Sequence, residues 1–145
     1  ALPIWPTAHA NARGLQHRLP NSESPTMNDL AVLRLYVPMS ARVRATRLWH
    51  HFSAPQLAHH LLAQARRAGI RQALLFHVNS GYLPGGKPSH AHVEGTAARH
   101  PQCVELVDTE ASLRAFLAEH HAQLHAVQAV LFRCELPLET GQGAG

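Results

Sequence analysis

The sequence predicts an α+β domain in which two helices cover one face of a four-stranded antiparallel sheet. Four short apolar blocks have strand length, and several of them alternate apolar with polar residues. Two longer stretches place leucines at helical spacing. Gly, Pro and Ser punctuate the joins, and the resulting order is β-α-β-β-α-β. The 145 residues suffice for one domain with a buried core, and a hydrophobic share of 46% excludes wholesale disorder. No apolar run approaches the roughly 18 residues that a membrane-crossing helix requires. Two cysteines, Cys103 and Cys134, cannot build a disulfide scaffold or a four-cysteine zinc site.

The folded domain is expected over residues 27–138, after a proline-punctuated, flexible extension (1–26) and before a glycine-rich, flexible tail (139–145). Leu2, Ile4 and Trp5 do not form the continuous apolar core of a secretory signal. With so few cysteines, a cytoplasmic location is expected. Leu30 to Val37 reads as the first strand, closed by Pro38. After a basic stretch (39–52), Ser53 suits an N-cap and Pro55 a first helical turn. Leu57, Leu61, Leu62 and Ala65 then share a helical face, and Gly69 supplies the stop. Gln72 to Asn79 is the second strand, with Leu74, Phe76 and Val78 assigned to one face and Leu75, His77 and Asn79 to the other.

A turn-rich loop follows, and Ala91 to Thr96 can extend a hairpin arm. Gln102 to Val107 is the third strand. Asp108 or Thr109 caps a second helix whose buried face holds Leu113, Phe116, Leu117 and Leu124. Val127 to Leu136 is the last strand, ended by Pro137. This order is the ferredoxin-like split βαβ arrangement. The helix-free face is expected to carry Arg34, Tyr36, Leu75, His77, Asn79, Cys103, Glu105 and Arg133. Arg34 and Glu105 can pair across strands there, and the mixed apolar character suits burial against further copies of the chain.

Charge is uneven along the chain. Residues 30–93 contain no acid and sum to +8, whereas residues 94–145 sum to −4. Such a basic half suits a small anionic ligand. No nucleic-acid partner is expected: aromatic residues are only 6% of the chain and no nucleic-acid-binding motif is present.

Several segments together resemble the DUF190 family of PII-like proteins: Leu33-Arg34-Leu35-Tyr36-Val37, the helix end Ala65-Arg66-Arg67-Ala68-Gly69-Ile70, Gly81-Tyr82, and Val104 to Glu110. The resemblance covers roughly residues 30–138, and it rests on order and spacing. It implies a trimeric PII-like assembly related to PII signal proteins and the CutA group. Such proteins are regulators and not enzymes. The resemblance implies a small effector, usually an adenine nucleotide, held in clefts between subunits. It also implies a loop that docks on a target protein such as a membrane transporter. The loop residues themselves suit a bicarbonate, phosphate or nucleotide anion placed between the loop base and a basic group such as Arg34 or Arg99. The chain departs from the PII pattern at Leu83 and Pro84, where another glycine and a basic residue are usual, and in the 39–52 insertion.

The candidate effector site comprises Arg34, Asn79, Gly81, Tyr82, Gly85, Gly86, Lys87 and Arg99. Gly85 and Gly86 can turn backbone N–H groups toward an anion, and Lys87 is the only lysine of the chain. Thirteen histidines raise an alternative, a CutA-like protein holding a divalent metal. His90 and His92 share a strand face, and His121 and His125 share a helix face, at spacings that chelate zinc, copper or nickel. Histidine titration also makes pH sensing an alternative. Catalysis is not expected, because both cysteines fall in strands and no nucleophile signature is present.

Overall fold

The computed structural model describes residues 29–44, 54–91 and 97–137. The extension 1–26, the tail 139–145, the Ser53 cap and His92 lie outside the described residues. Strand β1 (Leu30–Pro38) is followed by α1 (Leu57–Arg67), β2 (Gln72–His77), β3 (Ser80–Gly81), β4 (Ser89–His90), β5 (Pro101–Thr109), α2 (Glu110–Glu119), α3 (His121–Leu124) and β6 (Gln128–Arg133). The main sheet has the order β2-β5-β1-β6, and each of its pairs is antiparallel. This is the predicted split βαβ topology. Strands β3 and β4 form a separate two-stranded ladder in the loop.

The two-residue period of β1 sends Ala31, Leu33, Leu35 and Val37 to one face, where all four are fully buried. Val104 and Leu106 of β5 join them. Leu57, Ala58, Leu61 and Ala65 of α1 and Leu113 and Phe116 of α2 close the core from the helical side. Both helices therefore cover one face, as the sequence predicts.

Helix α1 begins later than expected. Pro55 lies before the helix, where its carbonyl accepts from Val43 N at 3.0 Å. Gln56 is the N-cap without a side-chain bond, and Leu57 N donates to Ala41 O at 2.9 Å instead. A backbone carbonyl from the 39–44 segment thus supplies the acceptor that a capping side chain would give. The end of α1 is as predicted. Gly69 takes φ +72, with Gly69 N bonded to Arg66 O and Ile70 N to Ala65 O. At α2 the cap is Thr109, the second of the two predicted candidates, and Asp108 braces it from outside the helix. Thr109 Oγ1 accepts from Ser112 N, while the Asp108 carboxylate accepts from Thr109 N and Arg71 N. The predicted single helix breaks at His120, yet Leu117 and Leu124 still pack on the core.

Register corrects the assignment of the helix-free face. Leu75 pairs with Val104, and Leu74 pairs with Glu105. Leu75 therefore packs on the core, and Leu74 and Phe76 occupy the open face. His77 lies opposite the core-side Gln102, and Asn79 lies past the end of β2. Arg133 sits opposite core-side Ala31 and reaches Glu110 of α2 at 3.0 Å. Arg34, Tyr36, Cys103 and Glu105 stand on the open face as predicted, joined by Val130 and Phe132. Among the described residues no helix is long and apolar enough to cross a membrane.

On the helical layer, partial burial, then His120, then Arg67 hold the His60 pKa below its ordinary 6.5. The unfolded chain thus binds this proton more tightly, so the His60 contribution is complete above pH 6.5 and falls as acid charges the ring. Thermal melts from pH 7.5 to pH 5 should show stability falling with acid, and His60→Gln should flatten part of that slope. An unchanged slope in the variant contradicts the assignment.

Candidate functional site: a cleft at the base of the 80–90 loop

Past His77 the chain leaves the main sheet and folds back on itself. Ser80 pairs with His90 and Gly81 with Ser89. The tip is a tight turn: Gly86 N donates to Leu83 O at 2.8 Å, and Gly85 takes φ +76. Pro84 and Gly85 are the residues a type II turn favours at its two central positions. This explains the departure from the PII pattern at 83–84. It also corrects one expectation, because the Gly86 N–H closes the turn and is not presented to an anion.

Behind the hairpin lies a buried polar junction. His100 is 2% exposed and Ser89 5%. Ser89 Oγ lies 2.9 Å from His100 Nδ1 and donates to Gly81 O at 3.2 Å. His100 Nε2 meets Val78 O. The Ser–His spacing resembles that of a hydrolytic pair, but Ser89 is buried and does not line the neighbouring cleft. The Val78 carbonyl takes the Nε2 side of the ring and leaves Nδ1 facing Ser89, so it is burial that separates this pair from the cleft.

That cleft has a volume of about 390 Å³ and is lined by Tyr36, Val78, Gly81, Tyr82, Leu83, Pro101, Gln128 and Val130. It opens where the loop base meets the helix-free face. Among the described residues no charged side chain lines it. Tyr36 and Gln128 are paired across β1 and β6, and Tyr82 is 67% exposed. The walls thus offer two aromatic rings, an amide and apolar groups, which suits an uncharged planar ligand moiety.

Of the predicted residues, the structure brings Gly81 and Tyr82 into this cleft. Arg34 lines a smaller adjoining pocket of about 220 Å³ with Tyr36, Phe76 and Cys103. Its guanidinium is committed to Glu105 at 2.8 Å and lies over the Phe132 ring at 5.3 Å. Glu105, then Tyr36, hold its pKa above the ordinary arginine value. Asn79 contributes a backbone carbonyl that accepts from Ala91 N at 2.9 Å. Gly85, Gly86 and Lys87 lie at the exposed hairpin tip, and Arg99 is exposed on a 3-10 turn (Ala97–Arg99). None of these last four lines the cleft. Burial raises the Cys103 thiol pKa above its ordinary value, which disfavours the thiolate.

His90 Nδ1 is 2.8 Å from Ser80 Oγ, and His92 lies outside the described residues. Among the described residues no group of three or more His, Cys, Asp or Glu is placed to hold a metal ion. A larger depression of about 690 Å³, with Arg66 and Arg71 in its wall, adjoins the α1–β2 turn and contains none of the predicted site residues.

The DUF190 family, described as uncharacterized ACR, matches residues 31–136. The chain belongs to the DUF190 family. No curated protein matches it. Among solved structures, it is similar to CPII, a nitrogen regulatory PII-like protein from Thiomonas intermedia that was solved with ADP, AMP and bicarbonate bound. The two are 16% identical with a TM-score of 0.43, over 71% of this chain and 81% of that one.

The turn geometry carries a prediction. Gly85 holds a left-handed conformation that costs other residues about 1–2 kcal/mol. Gly85→Ala should speed exchange of the Gly86 amide about tenfold by NMR, with the β1 and β5 amides unchanged. Unchanged Gly86 exchange contradicts the turn assignment.

Proposed function

We propose that this DUF190 protein is a PII-like regulator that binds an adenine nucleotide at the loop-base cleft and acts on a partner protein through the 80–90 loop. The observation that carries the reading is the position of the cleft. Its walls belong both to the loop hairpin and to the sheet, so a ligand there touches the part that moves and the part that stays. A neutral aromatic cleft suits the base of a nucleotide better than a bare anion. Bicarbonate alone finds no cationic side chain among its walls.

The phosphates would lie outside the cleft. Lys87 at the tip makes no ion pair among the described residues and is available to them, as is a basic residue of a neighbouring subunit such as Arg99. The protein assembles as a homotrimer through its helix-free face, which places a second subunit beside the cleft. Leu74, Phe76, Val130 and Phe132 are 38–46% exposed there, and copies of the chain would cover them. The mechanism is a population shift: the nucleotide favours one hairpin position, and that position binds or releases the target. A membrane transporter fits the target role, the location is the cytoplasm, and the protein is regulatory rather than catalytic.

Thermal shift and calorimetric titration with ATP, ADP, bicarbonate and Zn²⁺ test the reading. A nucleotide should raise the melting temperature, since binding to the native state alone stabilises it. Tyr82→Ala should weaken nucleotide binding about 5- to 100-fold, the range for loss of one base-stacking ring. Lys87→Ala should weaken ADP more than adenosine. Stabilisation by Zn²⁺ with no nucleotide effect, or binding indifferent to Tyr82→Ala, overturns it.

A further inference from the structure

Four chain segments meet at His100. Its ring bonds Ser89 on β4 and the Val78 carbonyl after β2, and Ser89 bonds the Gly81 carbonyl on β3. Backbone bonds from Met39 N to His100 O and from Ser40 N to Ala98 O, both 2.9 Å, anchor the same junction to the end of β1. It is the only buried histidine among the described residues. The β3–β4 ladder is two residues long on each side, too short to hold a hairpin closed unaided. Beyond the ladder the two arms are tied by the Ala91 N to Asn79 O bond and by the side-chain contacts Ser80–His90 and Ser89–Gly81, of which the last is shared with His100.

Donor counting gives the junction two states. A carbonyl only accepts, so Nε2 facing Val78 O carries the imidazole proton, and in the neutral ring Nδ1 is an acceptor. The Ser89 hydroxyl has one proton and two acceptors in reach, His100 Nδ1 at 2.9 Å and Gly81 O at 3.2 Å. It can satisfy one at a time. Val78, Gly81 and Pro101, which neighbour or bond this junction, also line the cleft. The back of the cleft wall is thus the face that the relay holds.

We propose that Ser89 and His100 form a two-position latch that couples occupancy of the cleft to the position of the hairpin. With the hydroxyl on Gly81 O, the two arms are tied across their bases. With the hydroxyl on Nδ1, Gly81 loses that side-chain tie and keeps only its ladder pairing, while Ser89 stays anchored to His100 at the entry to β5. A ligand that displaces Gly81 in the cleft selects the second arrangement and loosens the β3 arm. Ser89 and His100 are positioning residues: they touch the wall and not the ligand. The proposal rests on the nucleotide reading for its trigger, but its first test needs no ligand.

Amide exchange by mass spectrometry and NMR on the full chain, with Ser89→Ala and Ser89→Thr, provides that test. Ser89→Ala should speed exchange of the 80–91 amides on the order of tenfold, the loss of about one hydrogen bond, with β1 and β5 amides and the melting midpoint near wild type. Ser89→Thr keeps a hydroxyl and should keep most of the protection. Wild-type loop exchange in Ser89→Ala overturns the latch. So does equal loosening in the Thr variant, which would mean that packing and not the hydroxyl matters. In a second arm, ADP should alter exchange at His90 and Ala91 in the wild type and only at 78–82 in Ser89→Ala. The same ADP response at His90 and Ala91 in both proteins overturns the coupling. If ADP fails to bind the wild type, the nucleotide reading fails, and the ligand-free exchange still decides the latch.

Discussion

The register of β1 against β5 is the constraint on which the rest of the molecule depends. Leu33 opposes Leu106, Leu35 opposes Val104, and between them Arg34 opposes Glu105. The leucines fall on the helical side and the ion pair on the other. A slip of one residue would bury the arginine under the helices and expose the leucines. The pair itself is partly exposed, with the Arg34 side chain 43% accessible, so its net contribution to stability is small. Its value lies in which register it permits, because an alternative pairing leaves two charges facing apolar neighbours.

That register has a second consequence. It extends to the edge strands, where it aligns Leu74 and Phe76 on β2 and Val130 and Phe132 on β6 with the open face. Large apolar side chains thus flank a paired Arg–Glu couple, a surface suited to burial against copies of the chain. Tyr36 belongs to the same face and reaches the loop-base cleft. In the proposed trimer, the surface that assembles the subunits and the surface that takes the ligand are continuous.

Much of the fold was legible in the sequence. Strand alternation in Leu33-Arg34-Leu35-Tyr36-Val37, the Gly69 stop and the Thr109 cap each act through local backbone chemistry, and each lies where the pattern put it. The faces of β2 were less legible. Leu74-Leu75-Phe76 is apolar on both sides, so alternation has no contrast, and only pairing with β5 decides it. The face of Arg133 is set by the register of β6 on β1, and the run Ala129 to Phe132 before it is apolar on both sides and gives no contrast. The site was half legible. Gly81 and Tyr82 stood out as loop residues, but Gln128 and the Ser89–His100 junction join positions distant in the chain. Among thirteen histidines, nothing local marked His100 as the buried one. Lys87 and Arg99 drew attention by charge, yet the cleft is built from neutral groups.

The proposed trimer requires that the open face of the sheet be covered by further copies of the chain, which completes the cleft. Sedimentation equilibrium of the purified full chain at micromolar concentration, without ligand, tests it most directly. A single species of three times the chain mass is expected. A species of one chain mass, with the apolar face left in water, would contradict it.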